Sequence, residues 1–320
     1  MLVYILFVIG FFALIKGADV LVKWSWSLAK KWWIPAIVIG LTIVAFGTSM
    51  PELVVNLFAS ASWATDLAIG NVIGSNIANI FLILWISAII YPLVTQRNTS
   101  WKEIPFSLLA VILVGLLAND MMIDGNTRYS GLTRIDGLVL LWVFCIFLVY
   151  VFQIVKKKEN KEAEPEVKKL PVTRSVIYIV LGIAGLALGG KWIVDGAVHI
   201  ATIFGVSQSL IGLTIVAIWT SLPEVATSGM AAYRKQTDIA IGNIVGSNIF
   251  NVFWVLGLSA TIRPLPFDMS NNVNVWVMIW ATVVLFLILF IGKKHVIQRW
   301  QGRLFVSLYI AYMAFLIFTA

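Results

Sequence analysis

The most constraining feature of this sequence is an internal duplication. Residues Gly40–Ala88 align with Gly212–Ala260 at a constant offset of 172 positions and without a gap, and 26 of the 49 aligned positions are identical. The copies open with GLTIVAFGTSMPE and GLTIVAIWTSLPE and close with AIGNVIGSNIAN and AIGNIVGSNIFN. A chain with such a repeat is expected to fold as two related structural units.

The composition predicts that both units lie in a membrane. Of the 320 residues, 60% are hydrophobic and only 12% are charged, whereas a soluble domain has roughly 25% charged residues. A membrane-spanning helix needs about 20 mostly apolar residues, so the sequence predicts an all-α membrane protein with ten transmembrane helices. The predicted spans are residues 2–29, 34–60, 68–93, 104–119, 135–155, 173–200, 206–232, 239–262, 274–292 and 303–319.

One long polar segment, Lys156–Arg174, separates the fifth predicted span from the sixth. We therefore predict a first five-helix repeat over residues 1–155, a cytoplasmic linker over 156–172 and a second, inverted five-helix repeat over 173–320. Because five is odd, the second unit enters the membrane in the opposite orientation. Inverted repeats of this kind are typical of secondary transporters.

The lysines and arginines predict the orientation. With the N-terminus outside, 17 of the 23 lie in cytoplasmic loops, as the positive-inside rule requires. The sequence thus predicts a multi-pass protein of the cell membrane with both termini outside. The net charge of +8 is then explained by cytoplasmic loops, so we expect contacts with lipid and inorganic cations, and no nucleic-acid or protein partner.

Each copy of the duplication has a glutamate inside an apolar span. Pro51 lacks an N–H, so the carbonyl of Gly47 loses its helical partner, which predicts a helix broken within the membrane; Pro223 repeats this. Glu52 and Glu224 then lie in the first turn of the second half-helix, where the helix dipole favours an anion. Freed carbonyls, hydroxyls and carboxylates are oxygen ligands, which Ca²⁺ prefers.

A stripe of polar residues follows in each copy, spaced four apart and therefore on one helical face. An unpaired amide is costly in hydrocarbon, so the stripe is expected to face protein, water or ions. Flanking glycines would let another helix approach closely. The stripe consists of Asn71, Ser75 and Asn79 and of Asn243, Ser247 and Asn251, and the glycines are Gly70, Gly74, Gly242 and Gly246.

Taken alone, each feature also has a purely structural explanation. A proline-kinked helix can rebind its hydroxyls to the backbone, and a single buried glutamate can be protonated. Two glutamates at equivalent repeat positions, each followed by the same stripe, favour function instead, because ionisable residues within a membrane are usually functional.

The other charged residues within the spans are predicted to be structural. Most are spaced three or four apart, so they are expected to pair along their own helices. These residues are Lys16, Asp19, Lys23, Lys191 and Asp195. Asp66 and Asp238 precede spans and are expected to cap helices, with a role in cation access as the alternative.

The two motif pairs resemble the α-repeats of the cation/Ca²⁺ exchanger superfamily, in particular prokaryotic sodium/calcium exchangers. The matching segments are GTSMPE (Gly47–Glu52) with GNVIGSNIAN (Gly70–Asn79), and TSLPE (Thr220–Glu224) with GNIVGSNIFN (Gly242–Asn251). The resemblance implies ten helices, a broken second and seventh helix, and a central cluster of cation sites. It also implies alternating access by movement of the first and sixth helices past that core.

The resemblance also implies roles for single residues. Glu52 and Glu224 would be the main acidic ligands, and Asn79 and Asn251 would line the central site. Further oxygens would come from six hydroxyls and two backbone carbonyls. They are the hydroxyls of Thr48, Ser49, Thr220, Ser221, Ser75 and Ser247 and the carbonyls of Ala45 and Ala217.

Two residues depart from the family's pattern. Trp219 replaces the motif glycine that corresponds to Gly47, and Asn251 stands where such exchangers often have aspartate. The site therefore has a formal charge of −2, which balances one Ca²⁺, two Na⁺ or two protons. Unbalanced charge is expensive in a low-dielectric site, so the missing acid weakens the case for three Na⁺ per Ca²⁺. Helix dipoles and carbonyls also help to balance positive charge, so the missing acid does not exclude three Na⁺ per Ca²⁺.

Together these features predict a secondary active antiporter that exports Ca²⁺ in exchange for Na⁺ by alternating access, with no cofactor besides the transported ions. A Ca²⁺/H⁺ antiporter is the main alternative, because both glutamates can titrate. A passive cation channel is a remote one, since a pore can also use ringed carboxylates. An enzyme is not expected, because the sequence shows no nucleophile–base pair, histidine–carboxylate metal set or phosphate loop.

Overall fold

The structure is a computed structural model that describes residues 2–61, 65–97, 99–125, 130–158, 171–203 and 220–319. The first-repeat helices are α1 Leu2–Lys31, α2 Ala36–Thr48, α3 Met50–Ala61, α4 Thr65–Ala78, α5 Leu84–Ile90, α6 Thr99–Leu117, α7 Asp120–Asp124 and α8 Arg134–Lys158. The second-repeat helices are α9 Val172–Ile203, α10 Leu222–Tyr233, α11 Thr237–Ile249, α12 Gly257–Ile262, α13 Asn272–Ile288 and α14 Arg299–Thr319.

Outside the seventh predicted span, these helices coincide with the predicted spans to within a few residues, and the all-helical prediction is confirmed. Within the described residues, six helices are long and apolar enough to cross a membrane, or seven if the bent pair α2–α3 is one span. Helix α13, with 17 residues, is slightly shorter. Most of the predicted seventh span lies outside the described residues, so the count of ten remains a prediction.

Several spans contain a π-helical turn, which the hydrophobic pattern did not predict. One is Gly40–Val44 within α2, and one opens α6 at Thr99–Glu103. The others are Asn79–Ile83, which joins α4 to α5, and Phe250–Leu256, which joins α11 to α12. π-helical turns are rare, and those that do occur are often found at functional sites. The last pair therefore points to Asn79 and Asn251.

Helices α1 and α9 run antiparallel, in close contact along their length. A Cβ atom added to Gly10 would lie 2.9 Å from the carbonyl oxygen of Gly189, and one added to Gly17 would lie 2.8 Å from that of Gly182. Gly182 and Gly189 are the positions 172 residues after Gly10 and Gly17. The two contacts therefore exchange under the repeat, as expected for units related by a two-fold axis.

Two short antiparallel strand pairs also join the repeats. Strand β1 (Leu93–Val94) pairs with β4 (Val296–Ile297), and β2 (Gly131–Leu132) pairs with β3 (Leu265–Pro266). Each pair connects the segment after the third span of one repeat with a loop that precedes the last span of the other. The repeats are thus interlocked rather than placed side by side.

The eighth span, formed by α11 and α12, lies at the centre of the bundle. In its apolar window 94% of the residues are buried, against 22% for the outer span Arg134–Lys156. The flanking glycines allow this position, because a side chain there would collide with the neighbouring helix. A Cβ atom on Gly242 would lie 2.8 Å from the Ile37 carbonyl oxygen, and one on Gly246 would lie 2.8 Å from Leu41 Cα. As predicted, the polar stripe of the second copy therefore faces protein.

Candidate cation site

The second span breaks at Ser49. Helices α2 and α3 meet there at an angle of 47°, and Ser49 itself has φ −83° and ψ 9°. Helix α3 then begins at Met50, with Pro51 in its first turn, where the missing N–H costs nothing. Glu52 follows in that first turn and is only 1% exposed. The predicted break and the predicted place of this glutamate are both found.

The described part of the seventh span repeats this arrangement. Thr220 and Ser221 form a turn, and α10 begins at Leu222 with a proline in its first turn. Glu224 lies in that turn and is also 1% exposed. Ala217 and Trp219, the predicted carbonyl ligand and the unusual motif residue, lie outside the described residues.

In each glutamate, one carboxylate oxygen accepts hydrogen bonds from serine hydroxyls and the other does not. Ser75 donates to Oε1 of Glu52 at 3.4 Å. Ser49 and Ser247 donate to Oε1 of Glu224 at 3.1 and 3.4 Å. The Oε2 atoms of both glutamates are buried without a hydrogen-bond partner among the described residues. A buried carboxylate oxygen left in this way costs free energy unless a cation or proton meets it.

The central asparagines show the same pattern. The side-chain nitrogen of Asn79 donates to Asn248 at 2.9 Å, and that of Asn251 donates to Asn76 at 3.1 Å. The Oδ1 atoms of Asn79 and Asn251 are buried and have no hydrogen-bond partner in the part of the chain that the structure describes. With the two carboxylates, they provide four unsatisfied side-chain oxygens in the two motif copies.

The threonines of the breaks connect to the first asparagine of each stripe. Thr48 donates to Asn243 Oδ1 at 3.0 Å, and Thr220 donates to Asn71 Oδ1 at 3.3 Å. Thr48 also lies 3.3 Å from the carbonyl oxygen of Ala45 and 3.5 Å from the hydroxyl of Ser247. These predicted residues of the two copies are thus brought together across the repeat interface.

Further buried residues support these contacts and were not predicted. Asn71 donates to Asn56 Oδ1 at 2.7 Å, and Asn243 donates to the Ser228 hydroxyl at 2.9 Å. Asn56 and Ser228 occupy equivalent positions in the duplication, and so do Asn76 and Asn248. The signal in the sequence is that polar residues occupy equivalent positions of both copies, although these residues lie outside the predicted stripe.

The donor set is that of a hard cation bound by oxygen. No group of three or more His, Cys, Asp or Glu side chains comes together within the described residues, so a site here depends on two carboxylates and neutral oxygens. Ca²⁺ accepts such a mixture of carboxylate, amide, hydroxyl and carbonyl oxygens. Zinc-like sites favour nitrogen and sulfur instead.

The family follows from comparison with known proteins. The sequence model of the family described as sodium/calcium exchanger protein matches residues 2–153 and 174–318. The chain belongs to the sodium/calcium exchanger family. It is therefore an integral membrane protein of a transporter family whose substrates are inorganic cations, and the predicted family and fold class are confirmed.

Individual relatives of this exchanger agree. It is 31% identical to the sodium/calcium exchanger MaX1 of Methanosarcina acetivorans, over 98% of both chains. It is 35% identical to the inner membrane protein YrbG of Escherichia coli, over 82% of this chain and 81% of that one. The structure of the sodium-calcium exchanger NCX_Mj soaked with Na⁺ and Sr²⁺ superposes with a TM-score of 0.84 at 35% identity, over 98% of both chains.

Several other charged residues make contacts outside this site. Lys191 and Asp195 pair within their helix at 2.6 Å, as predicted. Asp19 instead accepts from Arg234 Nε at 2.7 Å, from α1 to the end of α10, so the expected pairing along its own helix is wrong for this residue. Glu103, for which the sequence predicts no role, is buried and accepts from the Tyr150 hydroxyl.

The two expected caps are not found as predicted. Asp238 lies within the first turn of α11, whose N-cap residue is Gln236. Its carboxylate accepts from the Gln96 side chain at 2.6 Å, which links the two repeats at the surface. Asp66 falls within α4, so neither residue precedes its helix.

Proposed function

We propose that this exchanger is a secondary active antiporter that exports Ca²⁺ across the cell membrane in exchange for Na⁺, with both termini outside. The proposed cation ligands are Glu52, Glu224, Asn79, Asn251, Thr48, Ser49, Thr220, Ser221, Ser75, Ser247 and the carbonyls of Ala45 and Ala217. The observation that carries the proposal is the set of four buried oxygens without partners, on Glu52, Glu224, Asn79 and Asn251.

Charge and geometry support this assignment. Within the described residues neither glutamate forms a salt bridge with a basic side chain. Two such carboxylates balance one Ca²⁺ or two monovalent cations, and either set of ions would satisfy oxygens that are otherwise costly to bury. The names of MaX1 and NCX_Mj, which describe sodium/calcium exchangers, support Na⁺ as the counter-ion. The interlocked inverted repeats support alternating access around a fixed central site.

The test is ⁴⁵Ca²⁺ uptake into proteoliposomes, measured with three internal solutions. Vesicles loaded with Na⁺ are expected to take up Ca²⁺, vesicles with only a pH gradient are not, and vesicles with neither gradient give the leak. Uptake driven by the pH gradient alone would identify a Ca²⁺/H⁺ antiporter. Non-saturable uptake that ignores both gradients, with single-channel currents, would identify a channel.

A further inference from the structure

We propose that Asn76 and Asn248 are positioning residues, which hold the central amides of the cation site with their oxygens toward the ions. The inference rests on the proposed function, because it takes Asn79 and Asn251 as cation ligands. Asn76 is 0% exposed and Asn248 is 2% exposed. Both occupy the same place in their copies, immediately after the serine of the GSN motif.

The orientation of Asn76 is determined by a main-chain group. Its side-chain nitrogen donates to the main-chain carbonyl oxygen of Asn248 at 3.2 Å. A carbonyl oxygen only accepts hydrogen bonds, so the nitrogen of Asn76 must point there and its Oδ1 must face the other way. That Oδ1 accepts from the side-chain nitrogen of Asn251 at 3.1 Å. Asn251 therefore keeps its own oxygen free.

The first repeat's central amide is also held by a supporting asparagine, that of the second repeat. Asn79 uses its side-chain nitrogen to donate to Asn248 Oδ1 at 2.9 Å, and its own Oδ1 has no partner. Each central amide is thus held by the supporting asparagine of the opposite copy. The ligand on one repeat depends on a residue of the other.

This support matters because a carboxamide has two unlike ends. Rotation by half a turn would replace the ligand oxygen with an NH₂ group, which has no lone pair for a cation. Residues that hydrogen-bond to metal ligands commonly affect affinity about 10- to 100-fold. We expect loss of either supporting asparagine to weaken Ca²⁺ binding by about 10-fold or more, while the two carboxylates stay in place.

The first experiment compares Asn248→Leu with Asn248→Asp. Leucine has a similar volume without an acceptor, whereas aspartate keeps an oxygen that the Asn79 amide can reach. Equilibrium ⁴⁵Ca²⁺ binding to the purified protein should weaken in Asn248→Leu and stay at least as tight as wild type in Asn248→Asp. Asn76→Leu is the mirror variant and should weaken binding likewise. Equal binding by Asn248→Leu and wild type, or equal loss in the Leu and Asp variants, would overturn the proposal.

A matched control separates positioning from general damage. Asn119 and Asn272 form another amide pair between the repeats, partly buried and outside the cation site, with two reciprocal hydrogen bonds of 2.8 Å. Asn119→Leu should lower the unfolding temperature but leave the Ca²⁺ affinity unchanged. A loss of affinity in this control equal to that in Asn248→Leu would show a structural effect and contradict positioning.

The decisive measurement is the coupling between partners. An ionised aspartate at position 79 has no proton to donate, so Asn79→Asp already removes the hydrogen bond to Asn248. In that background Asn248→Leu should cause little further loss of Ca²⁺ affinity, whereas Asn76→Leu should keep its full effect. Undiminished loss for Asn248→Leu in that background refutes the positioning role. Failure of the proposed function looks different, because wild type would then bind no Ca²⁺ or Glu52→Gln would bind it normally.

Discussion

The Glu52 half and the Glu224 half of the cation site make nearly the same hydrogen bonds. Ser75 donates to Glu52 as Ser247 donates to Glu224, both at 3.4 Å. The two carboxylates differ at one hydroxyl contact, since Ser49 donates to Glu224 at 3.1 Å whereas the hydroxyl of Ser221, its counterpart, has no partner within the described residues. The hydrogen bonds from serine hydroxyls to the two carboxylates therefore differ by one.

This difference has a simple meaning in a protein built from inverted repeats. Exchanging the conformations of the two units converts a site open to one side of the membrane into a site open to the other. The bond from Ser49 to Glu224 would then be replaced by one from Ser221 to Glu52. We interpret the asymmetry as a mark of the conformational state, and the symmetric contacts as the part of the site common to both states.

The largest expected effect comes from neutralising either carboxylate. Glu52→Gln or Glu224→Gln leaves one negative charge to balance a divalent cation in a buried site. Removal of one partner of a buried charge pair costs about 3 kcal/mol. Na⁺-dependent Ca²⁺ uptake should therefore fall by roughly 100-fold or more. Initial rates in proteoliposomes measure this. Because each half supplies one charge, the two variants should be equally impaired, and wild-type exchange in either would refute the assignment of the ligands.

The symmetric contact between α1 and α9 gives the next prediction. A Cβ atom at Gly17 would lie 2.8 Å from the Gly182 carbonyl oxygen, and one at Gly189 would lie 2.6 Å from the backbone nitrogen of Leu14. Since backbone cannot yield as a side chain does, Gly17→Ala and Gly189→Ala should each destabilise the fold by about 1–3 kcal/mol. Thermal unfolding in detergent measures the loss.

The control for this pair is Gly229→Ala. Its Cβ would lie at an ordinary 3.5 Å from Ile90 Cδ1, and alanine is the better helix former, so no loss of stability is expected. Unequal losses for Gly17→Ala and Gly189→Ala would contradict the two-fold relation between these helices.

The sequence was sufficient for the features that depend on pattern. The duplication, the odd number of spans and Pro51 predicted the repeat, its inversion and the break beside Glu52. The π-turns at Asn79–Ile83 and Phe250–Leu256 were not predictable, because one extra residue in a turn leaves the hydrophobic period almost unchanged. The pairing of Asn79 with Asn248 was equally hidden, since it depends on how the two repeats meet in space.

The smallest expected effect tests the broken symmetry directly. Ser49→Ala and Ser221→Ala each remove one proposed oxygen ligand, but only Ser49→Ala also removes a hydrogen bond to a carboxylate in this state. A bond of this kind contributes about 1 kcal/mol, so Ser49→Ala should weaken Ca²⁺ affinity roughly 3- to 10-fold more than Ser221→Ala on the side to which this state opens. Apparent affinities for Ca²⁺ are measured from each face of oriented vesicles.

From the opposite face the order should reverse, because the exchanged conformation transfers the bond to Ser221. The same order on both faces would mean that the asymmetry is a fixed property of the sequence and not a mark of the state.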